Sequence, residues 1–137
     1  MPFGSAAERY ESMGYEIADF YEHFPCFVGP RMLARFLSLF ECYQKTLGIA
    51  GHIAEVGVYR GARSFFFAKL LTLYEPYSTT QVHGFDIFER GSLDPRGKGF
   101  SYFESYQRVK ELAEMQGLRR YLLLHQLDVA VELKGFC

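Results

Sequence analysis

The chain has 137 residues, 49% hydrophobic and 23% charged, which excludes global disorder and suits one domain-sized core. Lys and Arg number 15 against 16 Asp and Glu, a formal net charge of -1, so no whole-chain attraction draws it to nucleic acid or an anionic membrane. Cys26, Cys42 and Cys137 are odd in number and widely spaced, and neither a signal-like nor a membrane-length apolar run is present, so the expectation is a cytoplasmic protein without disulfides or zinc.

Tyr10, Met13, Ile17, Phe20 and Phe24 recur every three or four residues and predict one entry helix, closed by Pro25 and the Gly29-Pro30 pair. From Pro30, the stripe Leu33, Phe36, Leu37, Phe40, Tyr43 and Leu47 predicts a packing helix that stops at Gly48. His52 to Gly57 reads as a short buried strand. It is followed by a helix over Ala62 to Tyr74 that is apolar on more than one side and closed by Pro76.

Gln81 to Phe85 predicts a second strand ending at Asp86, and residues 91–99 a polar, glycine-rich loop. Arg90, Arg96 and Lys98 fit a solvated connection there better than a lid over a site. Tyr106, Val109, Leu112 and Ala113 mark a third amphipathic helix ending near Gly117, and Tyr121 to Leu127 a third strand ending at Asp128. Strands alternating with helices of this length imply βαβ units, because parallel neighbours need a crossover. The fold class is therefore α/β with a Rossmann-like parallel sheet of about three strands, preceded by N-terminal helices. Residues 1–137 form one domain, divided into a helical segment, 1–48, and a half-sheet, 49–137.

Chemistry points to Glu55-Val56-Gly57-Val58-Tyr59-Arg60-Gly61, a strand entering a glycine turn and then a helix. In an open parallel sheet ligands settle beyond the carboxyl ends of the strands, where Gly57 and Gly61 permit close approach and the helix start offers N–H donors. Tyr59 stands where the dinucleotide fingerprint G-x-G-x-x-G has its second glycine, which disfavours a nicotinamide site. Asp86, ending the next strand, is placed to accept hydrogen bonds from two ribose hydroxyls, and Asp128 ends the third.

The runs Arg35 to Glu41, Gly51-His52-Ile53-Ala54-Glu55-Val56-Gly57-Val58-Tyr59-Arg60-Gly61 and Gly84-Phe85-Asp86-Ile87-Phe88-Glu89 resemble the macrocin O-methyltransferase family of class I S-adenosylmethionine-dependent methyltransferases. The resemblance covers roughly residues 30–133 and rests on E-x-G-V-x-R-G followed by G-F-D-x-F-E. It implies S-adenosylmethionine in the crevice, with Glu55, Gly57 and Gly61 around the methionine portion, Asp86 on the ribose and Asp128 near the adenine. Tyr59 and Ser64 complete the candidate cofactor-binding set. Ala62 stands where that family often has a second glycine.

A complete class I sheet has seven strands and this chain supplies three. The resemblance implies that the base and the acids for a divalent metal such as magnesium belong to the other half, so no catalytic residue is nominated and the chain alone is expected to be inactive. The implied function is O-methylation of a small-molecule acceptor such as a sugar hydroxyl. The rival is a non-catalytic nucleotide-binding or interaction module. A strand order of 3-2-1 would leave Ile53 to Val56 at an edge, so self-association through that edge is expected.

Blander roles compete at several positions. Glu55 can also be read, less favourably than as a cofactor contact, as a strand-end carboxylate that pairs with Arg60 or Arg63, and Asp128 equally as a cap for backbone N–H groups. Tyr74, Tyr77, Phe100, Tyr102 and Phe103 read as core or rim. His23, His52, His83 and His125 lack ligand spacing, and neutral, hydrogen-bonded rings are expected for the two in strands.

Overall fold

A computed structural model describes residues 3–88 and 105–133, so the predicted loop 91–99, with Arg90, Arg96, Lys98, Phe100, Tyr102, Phe103 and Cys137, lies outside the described residues. The chain divides into two units, Met1–Glu41 and Cys42–Cys137.

In the first unit the single entry helix is corrected to two. α1 (Phe3–Ser12) ends where Gly14 turns left-handed at φ +85°, its N–H donating to Glu11 O at 2.9 Å. α2 (Ile17–Glu22) starts anew, with the Glu16 N–H on Asp19 Oδ2 at 2.8 Å, and a 3-10 turn, Phe24–Cys26, follows. Only glycine adopts that φ without strain, so Gly14 acts as a helix terminator that the apolar stripe masks. The stripe divides accordingly. Tyr10, Tyr15, Phe20 and Phe27 gather edge-on or tilted at centroid distances of 4.7 to 5.8 Å, whereas Met13 and Ile17 are exposed.

α3 (Pro30–Gln44) starts at the expected proline and ends a turn earlier than Leu47, with Thr46 Oγ1 donating to Tyr43 O at 2.7 Å and Gly48 at φ +84°. Tyr43 is 1% exposed, and its hydroxyl donates to Glu75 Oε2 at 2.6 Å. Burial and the Glu75 carboxylate push that hydroxyl well above the ordinary tyrosine range, so it stays protonated as a donor.

β1 (Ile53–Val56), β2 (Val82–Asp86) and β3 (Leu122–Gln126) form one parallel sheet in the order β1-β2-β3, with Ile53 opposite Val82 and Val82 opposite Leu122. α4 (Ala62–Tyr74) lies between β1 and β2 in the chain, and α5 (Tyr106–Met115) between β2 and β3, ending before Gly117 at φ +70°. Strand alternation places Glu55, Val82, Gly84 and Leu122 on one face. Phe65, Ala68 and Leu71 of α4 and Val109 and Ala113 of α5 are buried with Val82 and Leu122 as the core. Gly84 marks the closest approach on this face: a Cβ there would lie 2.8 Å from Val58 Cγ2 and 3.3 Å from Ser64 Oγ. A short α6 (Val129–Glu132), absent from the sequence expectations, follows β3.

β1 lies at the edge, as the expected order requires. Ile53 and Gly57 N–H groups bond to Gln81 O and Phe85 O, so Ala54 and Val56 turn theirs outward, and Val56 is 62% exposed. The strand read as buried is therefore buried chiefly at Glu55.

His83, Phe85, Leu123 and His125 occupy the opposite face. The His83 ring lies 5.1 Å from both His52 and His125, with His83 Nδ1 and His125 Nε2 2.9 Å apart, one donating to the other. Phe85 stacks on His125 at 4.7 Å. Burial, then the charges of His125 and His52, lower the His83 pKa, and burial lowers that of His125. Each ring thus binds its proton less readily folded than unfolded, so their stabilisation is complete above the ordinary histidine pKa and is lost as pH falls through it. The denaturation midpoint should be level above about pH 7 and decline on acidification through about 6.5, and His83→Gln with His125→Gln should flatten that decline. A midpoint that rose on acidification would contradict this assignment.

Candidate functional site

The chemistry gathers where β1 and β2 run out. Gly57 extends the β1–β2 ladder through its N–H to Phe85 O at 2.8 Å and then turns at φ +84°. A Cβ on Gly57 would meet nothing within 4 Å, so the position opens onto free space. Val58 to Gly61 form a turn closed by the Gly61 N–H on Val58 O at 2.9 Å. Gly61 is needed twice over: its φ is +95°, and a Cβ would come within 3.1 Å of Phe65 and 3.3 Å of Val109. It also caps α4 without a side-chain acceptor, since glycine has none to offer.

Asp86 ties this turn to the end of β2. Its Oδ2 accepts the Tyr59 N–H at 2.9 Å and its Oδ1 the Phe88 N–H at 2.8 Å. Tyr59, at φ +54°, and Phe88, at φ +61°, are the two non-glycine residues with positive φ among the described residues. Such a conformation costs roughly 1–2 kcal/mol per residue, and here one carboxylate holds both. An ionised carboxylate has about four lone-pair directions, so each Asp86 oxygen keeps capacity for a further hydroxyl.

Glu55 is 8% exposed and points to the α4 side of the sheet. Ser64, fully buried, donates its hydroxyl to Glu55 Oε1 at 2.7 Å, and Arg63 Nε lies 2.8 Å from Oε2. Arg63 Nη2 also donates to Gly57 O at 3.3 Å, so the guanidinium crosses from the first turn of α4 to the end of β1. Arg63, one of the two arginines expected as partners for Glu55, forms this ion pair, and the Arg60 guanidinium lies over the Tyr59 ring at 5.4 Å. Ser64 reaches the crevice through Glu55 rather than directly.

Asp128 caps α6, its Oδ1 accepting the Ala130 N–H at 2.9 Å. Glu55, Gly57, Tyr59, Gly61, Ser64 and Asp86 thus fall into one cluster at the strand ends, and Asp128 stands one strand further along. Sequence reasoning missed Gly84 and Phe88 as parts of this arrangement and took Arg63 only as a counter-ion. Gly84 and Phe88 stand in the G-F-D-x-F-E run, but the run gives no sign of these roles, which arise where α4 and two loops meet the sheet. Among the described residues no group of three or more His, Cys, Asp or Glu is placed to hold a metal ion, so an implied magnesium finds no ligand set there. No helix among them is long and apolar enough to cross a membrane.

No family pattern matches the chain in sequence, and no curated protein matches it. Two solved structures of CalS11 do match in fold. One, the apo form of a TDP-rhamnose 3'-O-methyltransferase in calicheamicin biosynthesis, is 23% identical with a TM-score of 0.71. The match covers 97% of this chain and 59% of that one. The other, described as a calicheamicin methyltransferase, is 21% identical, also with a TM-score of 0.71, over 97% of this chain and 60% of that one. The chain therefore spans about three fifths of the length of these structures. Its three parallel strands and helices have the Rossmann-like α/β fold of these methyltransferases.

A buried carboxylate deprived of a donor loses stability, and hydrogen bonds to charged groups contribute about 1.5–3 kcal/mol. Ser64→Ala should therefore lower the unfolding free energy by about that amount at neutral pH, with little change in denaturant slope. Unchanged stability would mean that Ser64 does not hold Glu55.

Proposed function

We propose that this chain is the cofactor-binding half of an S-adenosylmethionine-dependent O-methyltransferase acting on a small molecule, a sugar hydroxyl being the acceptor class suggested by CalS11. The observation that carries this reading is Asp86: a carboxylate at a strand end, holding two strained residues beside an open glycine turn, in a fold similar to that of a methyltransferase. Strain of this kind persists where the surroundings over-determine it, and it concentrates at ligand clamps.

The residues fit the cofactor. Asp86 would receive the ribose hydroxyls on its remaining lone pairs, and Tyr59 lies against it through its N–H. Gly57 leaves room for the methionine portion, Gly61 lets the turn beside it pack on Phe65 and Val109, and Ser64 fixes Glu55 next to them. Asp128 would meet the adenine side from the end of β3, where it caps α6. S-adenosylmethionine supplies an electrophilic methyl group on a sulfonium. The part of this chain is to bind and orient that donor, since in-line transfer gains chiefly from positioning. No residue here is assigned the acceptor's proton or a metal.

Membership of the macrocin O-methyltransferase family and a cytoplasmic location belong to the same proposal, on the strength of the two motifs and the cysteine pattern. One observation favours the rival reading of an interaction module: the outward Ala54 and Val56 backbone groups of β1 form an open edge, through which self-association is the expected mode.

Calorimetric titration with S-adenosylhomocysteine and with NAD separates the readings. The parent chain should prefer S-adenosylhomocysteine, and Asp86→Ala should weaken its binding by about 1.5–3 kcal/mol, the worth of hydrogen bonds to a charged group. Tighter binding of NAD, or an Asp86→Ala variant that binds like the parent, would overturn the proposal.

A further inference from the structure

Arg63 is placed for more than neutralising Glu55. Its Nε faces Glu55 Oε2 at 2.8 Å and its Nη2 donates to Gly57 O at 3.3 Å, which uses one edge of the guanidinium. Nη1 has no protein partner among the described residues, and the side chain is 43% exposed although its partner Glu55 is 8% exposed. The anchored edge therefore fixes the plane of the fork at the end of β1, next to the Gly57 turn, and leaves the other edge to the exposed part of the side chain. A planar group with five donors can brace a protein carboxylate and a carbonyl and still present a pair of N–H groups to a second carboxylate. A lysine ammonium cannot do this in one geometry.

We propose that Arg63 is a ligand-binding residue that recognises the free carboxylate of an amino-acid-bearing ligand at the end of β1. This rests on the methyltransferase reading, and it names which end of the ligand lies where: the amino-acid end at Arg63 and the ribose end at Asp86, on neighbouring strand ends. Glu55 has its own role in the device. It orients the guanidinium, as Ser64 in turn orients Glu55. The N-terminal turn of α4, from which Arg63 projects, adds positive potential beside it.

The test compares S-adenosylhomocysteine with 5'-methylthioadenosine, which keeps the adenosine and the sulfur but lacks the amino-acid end. Binding of both is measured by calorimetry to the parent chain, Arg63→Met and Arg63→Lys. Arg63→Met should weaken S-adenosylhomocysteine about ten- to a hundredfold while moving 5'-methylthioadenosine by no more than about twofold, and Arg63→Lys should restore part of the difference. If Arg63→Met does not fold because Glu55 is left unpaired, the Glu55→Gln, Arg63→Met double variant removes the orphaned charge and carries the same comparison. Equal weakening of both ligands would show that Arg63 only braces the fold. An unchanged preference for S-adenosylhomocysteine would overturn the inference while the methyltransferase reading stood. A parent chain that binds neither ligand would overturn both.

Discussion

One carboxylate, Asp86, accepts the amide protons of Tyr59 and Phe88 and so holds two backbone segments that would otherwise relax. Both acceptor bonds go to residues in the left-handed region, where a side chain crowds its own backbone. The turn that follows β1 and the loop that follows β2 are thereby tied at one point. Phe88 is carried into the core by the same tie, 1% exposed and edge-on to Tyr106 at 5.2 Å. Polar chemistry at the strand ends and apolar packing beneath them thus depend on a shared anchor.

The second anchor is the buried charge of Glu55. A carboxylate taken out of water needs donors, and Ser64 and Arg63 supply them from the first turn of α4. That requirement fixes where α4 begins, and Gly84 removes the side chain that would keep Val58 and Ser64 off the sheet. Gly61 does the same between α4 and α5, where Phe65 and Val109 close in. Gly84 and Glu55 therefore set the distance between α4 and the sheet, and Gly61 sets that between α4 and α5. At the end of β1 the packing leaves the Gly57 turn open, with no atom within 4 Å of where its Cβ would be.

Much of the fold was legible because its signals are local. Pro76 and Gly61 bracket α4, Gly117 follows α5, and the alternation of apolar strands with helices implied a parallel sheet with β1 at its edge. The failures have physical causes. Gly14 sits inside a continuous apolar period, and a period carries no information about φ, so one helix was expected where the chain makes two. α6 is too short to show a period, and its one signal, Asp128 as a cap, was weighed only as a single residue. At the site, the glycines and Asp86 could be read because turns and strand ends have composition signatures. The pairing of Glu55 with Arg63, rather than Arg60 alone, depends on the direction in which α4 leaves its cap. Nothing in the local spacing encodes that direction.

The central claim is that ligand binding centres on the two anchors, and amide chemical shifts during titration with S-adenosylhomocysteine test it residue by residue. The account predicts the largest shifts at Gly57 to Ser64 and at Asp86 to Phe88. The amides of Tyr59 and Phe88 should respond together because they share one acceptor. Shifts confined to α1 and α2, or to the Ala54 and Val56 edge with Tyr59 and Phe88 unmoved, would contradict it.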